Sequence, residues 1–104
     1  MRSIDFSALL TNLLDNSIEA SKDEPEGELL LHIFQERGYD AISVKNRIGK
    51  SVLAENPALH STKEDREQHG IGIGQIRDIV AAYDGICDFY EKEGFFCSRV
   101  FIPQ

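Results

Sequence analysis

Two asparagines, Asn12 and Asn16, stand four residues apart in the segment LLTNLLDNSIEAS, whose leucines otherwise recur at helical spacing. Four residues is about one helical turn, so both amides fall on the same side of a helix. Amides compete with the backbone for hydrogen bonds and are only middling helix formers, so a pair of them on a core helix calls for a role. A side-chain oxygen on Asn16 suits Mg2+, a hard cation that takes oxygen ligands and bridges phosphates. Asn12, one turn back, is placed to orient the metal or the phosphate groups.

A third amide interrupts a strand. In DAISVKN (40–46), Ile42, Val44 and Asn46 share one face by the period of two. Asn46 therefore ends an apolar inward row, where a polar group can read an adenine edge in an otherwise apolar pocket. Gly70, Gly72 and Gly74 then stand at the entry of a second helix. Glycines there allow the backbone to approach a ligand, and free N–H groups with the helix dipole attract phosphate. No Gly-Lys-Ser/Thr follows, so this is not a P-loop. The spacing and the polar loop before it also differ from a dinucleotide-binding fingerprint.

The elements that must position these residues follow from periodicity. The first helix is expected from Asp5 or Ser7 to Ser21, with Phe6, Leu9, Leu10, Leu13, Leu14 and Ile18 on one broad face and Asn12, Asn16 and Glu19 on its flank. KDEPEGE breaks it through Pro25 and Gly27. ELLLHIF (28–34) and DAISVKN (40–46) read as strands joined through QERGYD. Residues 50–69 lose periodicity and form a long polar loop, a length usually associated with function or disorder. In GIGIGQIRDIVAAYDG, Ile73, Ile76, Val80 and Tyr83 hold helical spacing, and Gly85 suits the stop. ICDFY and FFCSRVFIP, joined by EKEG, make a terminal hairpin. Helices segregated from a largely antiparallel sheet define a two-layer α+β sandwich.

At 104 residues the chain is one small domain, with 41% hydrophobic residues for a core. Its net charge of -7 argues against a duplex or membrane surface bound by bulk electrostatics. Two cysteines, Cys87 and Cys97, are too few for a disulfide scaffold and lack metal-ligand spacing, so they read as reduced strand thiols. No apolar stretch approaches the roughly 20 residues of a bilayer span, and the N-terminus lacks signal-peptide organisation.

Taken in order, these motifs resemble the ATP-binding catalytic domain of the GHKL superfamily, which includes gyrase, mismatch-repair ATPases, the heat-shock chaperone and sensor histidine kinases. NLLDNSIEAS is similar to the family's N box, with Asn16 at the magnesium-binding position. HGIGIGQIRDIVAAYDG is similar to the second glycine box and the helix behind it. The resemblance spans residues 1–104 as a single ATP-binding domain. It implies a Bergerat-type fold, with helices on one face of a mixed, largely antiparallel sheet. It also implies an ATP lid at 50–69 and ATP and Mg2+ as cofactors. The residues it places at ATP are Asn12, Asn16, Asn46, Gly49, His69, Gly70 and Gly72, with Asn16 as the metal ligand.

Hydrolysing members carry a glutamate one turn before the magnesium asparagine, as the general base that activates water. Asn12 occupies that position here, which resembles the histidine kinases, most closely the peptide-pheromone receptor (Agr-type) kinases. The first glycine box departs from the usual aspartate and two spaced glycines: VKNRIGKS stands there, with Asn46 in place of the adenine-reading aspartate and Gly49 as the nearby glycine. Glu19 is a second departure, since kinases often place a basic residue near it.

The implied partners are a dimerisation domain bearing the phosphoacceptor histidine, which is none of His32, His60 or His69, and a downstream response regulator. The implied setting is the cytoplasmic part of a membrane-bound receptor. A degenerate nucleotide-binding or interaction module and an anti-sigma-type serine kinase are the alternative readings.

Overall fold

The computed structural model describes residues 1–21, 27–49, 51, 53 and 72–104. Helix α1 (Ser3–Ala20) is followed by strands β1 (Leu29–Glu36) and β2 (Tyr39–Arg47), helix α2 (Gly72–Ala82), and strands β3 (Ile86–Lys92) and β4 (Phe95–Pro103). The strands form one sheet in the order β1-β2-β4-β3. Every described pairing is antiparallel, so the expected mixed character is not found among the described residues. The two described helices lie on one face of the sheet, as the two-layer reading requires.

Both hairpins close more tightly than the sequence suggests. Arg37 and Gly38 have φ of 50° and 82°, and Glu93 and Gly94 have φ of 53° and 81°. Positive φ at both central residues is the pattern of a two-residue type I′ turn, whose twist matches the strands it joins. Glycine relieves the second position of each turn, where a Cβ would be strained. Strand β1 consequently runs two residues past its expected end, to Glu36, and β2 begins one residue before its expected start, at Tyr39.

Leu9 and Leu13 of α1, Ile42 and Val44 of β2, Ile73, Ile76 and Val80 of α2, and Val100 and Ile102 of β4 form the core. Fully burying an aliphatic side chain contributes about 1.5–3 kcal/mol, so these rows fix how helices and sheet meet. The buried line of α1 is Leu9, Leu13 and Ser17, with Asn12 beside it, while Phe6 and Ile18 are 38% and 59% exposed. The helix is rotated from the orientation its apolar pattern implies, because one flank packs on α2 as well as on the sheet. Leu29, Leu31 and Ile33 of β1 share the row of Asn46, Val44 and Ile42 yet are exposed.

The end of α2 is a Schellman cap. Gly85 donates its N–H to Val80 O at 2.8 Å and Asp84 donates to Ala81 O at 3.1 Å. The left-handed residue is Asp84, with φ of 57°. Gly85 is small for another reason: a Cβ there would lie 2.6 Å from Phe101 O and 2.7 Å from Ile102 Cδ1. It stops the helix by letting the chain pass against β4.

Candidate functional site

The two helices run antiparallel, and their contacts define which ends meet. Near the start of α1, the Tyr83 hydroxyl donates to the Asp5 carboxylate and accepts from the Arg2 N–H at 3.1 Å. Seven residues further, Asn12 Nδ2 donates to Gln75 Oε1 at 3.1 Å. One more turn along α1 reaches Asn16, and about one turn back from Gln75 reaches Gly72, where α2 begins. Asn16 and the entry of α2 therefore lie at one end of the layer.

The sheet brings Asn46 to that same end. Gly85, past the other end of α2, lies against Phe101 and Ile102 at the end of β4 that pairs with the start of β2. Asn46 is at the opposite end of β2, paired with Leu29 on one side and Phe96 on the other. Beyond it, Ile48 donates to Gly94 O at 3.0 Å and Gly49 forms an exposed bend. The fold thus gathers Asn12, Asn16, Asn46, Gly49 and Gly72 at one end of the sandwich. His69, Gly70 and nearly all of the 50–69 loop lie outside the described residues. Just past β2, the Glu91 carboxylate of β3 accepts from Ser51 Oγ at 2.6 Å and from the Leu53 N–H at 3.2 Å.

The amides differ in how they are satisfied. Asn12 is buried, and its Nδ2 is used twice, on Ala8 O at 2.8 Å and on Gln75. Only its oxygen remains for another partner. Among the described residues, Asn16 Nδ2 is buried with no partner, and Asn46 is wholly buried with neither Nδ2 nor Oδ1 bonded. Leaving such a group unpaired costs about 1–3 kcal/mol, and buried polar groups normally find a partner in protein, water or ligand.

Sequence reasoning missed three polar residues here. Gln75 supplies the acceptor that holds Asn12, and Ser17 and Ser98 are wholly buried with hydroxyls that have no partner among the described residues. Ser98 had a readable signal, being the polar member of the inward row Phe96, Ser98, Val100 and Ile102. Gln75 had none, because its partner lies 63 residues away.

The donor set fits magnesium of one kind. No group of three or more His, Cys, Asp or Glu able to hold a metal is found among the described residues. A metal here would depend on the Asn16 oxygen together with phosphate oxygens and water, which is how Mg2+ is commonly bound beside nucleotides. The described residues would fit a metal that arrives with a nucleotide.

The GHKL domain family matches residues 1–103, and the chain belongs to that family. Among solved structures, it is similar to the nucleotide-free catalytic domain of the histidine kinase ThkA, with 21% identity and a TM-score of 0.73 over 96% of this chain and 66% of that one. It is also similar to the histidine kinase domain of the blue-light-activated kinase of Erythrobacter litoralis, with 16% identity and a TM-score of 0.71 over 95% of this chain and 43% of that one. For the Acinetobacter baumannii histidine kinase AdeS the identity is 16% and the TM-score 0.68, covering 95% and 45%. These likenesses establish the fold, and the chain spans less than two thirds of the length of each of them. No curated protein matches the chain in sequence. Among the described residues, no helix is long and apolar enough to cross a membrane.

Proposed function

We propose that this chain binds Mg·ATP at the Asn46 end of the sandwich and acts as the catalytic domain of a sensor histidine kinase. The observation that carries this reading is the Asn46 amide, wholly buried, bonded at neither atom among the described residues, and set at the end of the fold where α2 begins. Asn46 holds the base edge. Asn16 offers its oxygen to the metal that accompanies the phosphates. The N–H groups at the entry of α2, from Gly72 onward, face the phosphates with the positive end of the helix dipole. Membership of the GHKL family supports adding His69 and Gly70 to this anion site and a lid role for residues 50–69, which lie almost wholly outside the described residues.

Magnesium, when bound with the nucleotide, neutralises phosphate charge. The chain's own contribution is positioning and electrostatics, which carry most of the catalysis in phosphoryl transfer. Asn12 has no carboxylate to take a proton from water, and its amide nitrogen is already committed to Ala8 and Gln75. That arrangement favours delivery of the γ-phosphoryl group to another protein group over hydrolysis. The acceptor is a histidine on a separate dimerisation domain of the same receptor, a peptide-pheromone type receptor with this domain on its cytoplasmic side, and a response regulator takes the phosphoryl group onward.

The test is calorimetric titration with a non-hydrolysable ATP analogue, with and without Mg2+, on the chain and on Asn16→Ala. Magnesium-dependent binding that disappears in the variant is the expected result. Unchanged Mg·ATP affinity in Asn16→Ala would sink the site assignment. No binding by the parent chain would favour an interaction module in which the nucleotide site is degenerate.

A further inference from the structure

The polar groups buried at the Asn46 end are all of one chemical kind. Asn46 presents both a donor and an acceptor, and neither is used among the described residues. Ser98 is 0% exposed and its hydroxyl, a donor and an acceptor at once, is also unpartnered. Asn46 pairs with Phe96 and Val44 pairs with Ser98, so Asn46 and Ser98 are diagonal neighbours on one face of adjacent strands. Such neighbours are about 7–8 Å apart at the backbone, within reach of one planar ligand edge or a shared water. Ser17, facing the sheet from α1 one turn beyond Leu13, adds a third buried hydroxyl without a partner. The one charged group with an unpartnered buried atom among the described residues is Arg99, through its Nε; it lies on the opposite face of β4 from Ser98, and its guanidinium pairs with Asp88 at 2.8 Å.

This set has no fixed polarity. Resting on the nucleotide site argued above, we propose that the base pocket accepts 6-amino and 6-oxo purines alike, with Asn46 and Ser98 reading the six-position edge. Against adenine, the Asn46 oxygen accepts from the 6-amino group while its nitrogen donates to N1. Against hypoxanthine, the amide turns over: the nitrogen donates to the 6-oxo group and the oxygen accepts from N1–H. The Ser98 hydroxyl rotates to complete either pattern. An ionised carboxylate at position 46 would only accept, and would face the 6-oxo group as a second acceptor.

The test titrates the chain with Mg·ADP and Mg·IDP, which share ribose and phosphates and differ only at the base edge. Affinities within about tenfold of each other are expected, against the far larger discrimination of a site with fixed hydrogen-bond polarity. Asn46→Asp is expected to weaken IDP by about tenfold or more relative to ADP, and Ser98→Ala to weaken both. Thermal melts of each variant establish that it is folded. ADP binding with IDP rejected by more than about 100-fold would overturn base tolerance and leave the nucleotide site standing. Binding of neither would remove the site and the inference together. Equal binding that survives both substitutions would take the reading role away from Asn46 and Ser98. The parent ADP-to-IDP ratio decides the matter even if a variant does not fold.

Discussion

Asn12 Nδ2 donates to Gln75 Oε1 at 3.1 Å, and this bond joins the first helix to the first turn of the second across 63 residues of chain. It lies between the core and the candidate phosphate end, one turn from both Asn16 and Gly72. Asn12 thereby acts as a spacer between two helices.

Gln75→Ala removes one of the two acceptors of a buried amide nitrogen and should cost about 1 kcal/mol. Urea unfolding of Asn12→Ala, Gln75→Ala and the double variant measures the coupling, expected at about 0.5–1.5 kcal/mol. Additive single effects would mean that the bond contributes nothing in solution. Gln75→Glu retains an acceptor and should lie close to the parent.

Gly85→Ala should destabilise the fold by about 1–3 kcal/mol, since its Cβ would meet a backbone carbonyl that cannot move aside without disturbing β4. The urea midpoint should fall with the slope unchanged. A variant as stable as the parent would show that β4 gives way freely at Phe101.

Cys87 is the more exposed of the two free cysteines. Burial, partly offset by the Arg77 guanidinium, raises its thiol above the ordinary value of 9.0, with the Asp88 charge adding to the rise. A raised value leaves less thiolate at any given pH, and the thiolate is the nucleophile. Alkylation at Cys87, located by mass spectrometry, should therefore be slower at pH 8 than that of a free cysteine peptide. Its rate should still be climbing where the peptide's has levelled off. A profile that coincides with the peptide's would mean that the thiol is open to solvent.

Much of this protein is legible in local pattern. The period of two in DAISVKN places Asn46 at the end of an inward row, and the structure buries it there. Asn12 and Asn16 fall on one helical flank, and Ile73, Ile76 and Val80 form the inner side of the second helix. The order of the two boxes implied the family. These features depend on the spacing of residues within a single element, which backbone geometry alone dictates.

What required the tertiary structure is everything set by a second element. The apolar pattern of α1 includes Phe6 and Ile18, but only the line through Leu9, Leu13 and Ser17 is covered, because the sheet and α2 together decide the rotation of the helix. Leu29, Leu31 and Ile33 of β1 continue the inward row and remain exposed. Gly85 resembles a cap residue, yet Asp84 takes the left-handed conformation and Gly85 yields space to Phe101. Asn12 met Gln75 only when antiparallel helices brought their segments together, and Asn46 came beside Ser98 only through the paired register of β2 and β4. Periodicity assigns a residue to a face; which neighbour covers that face depends on contacts between segments far apart in the chain.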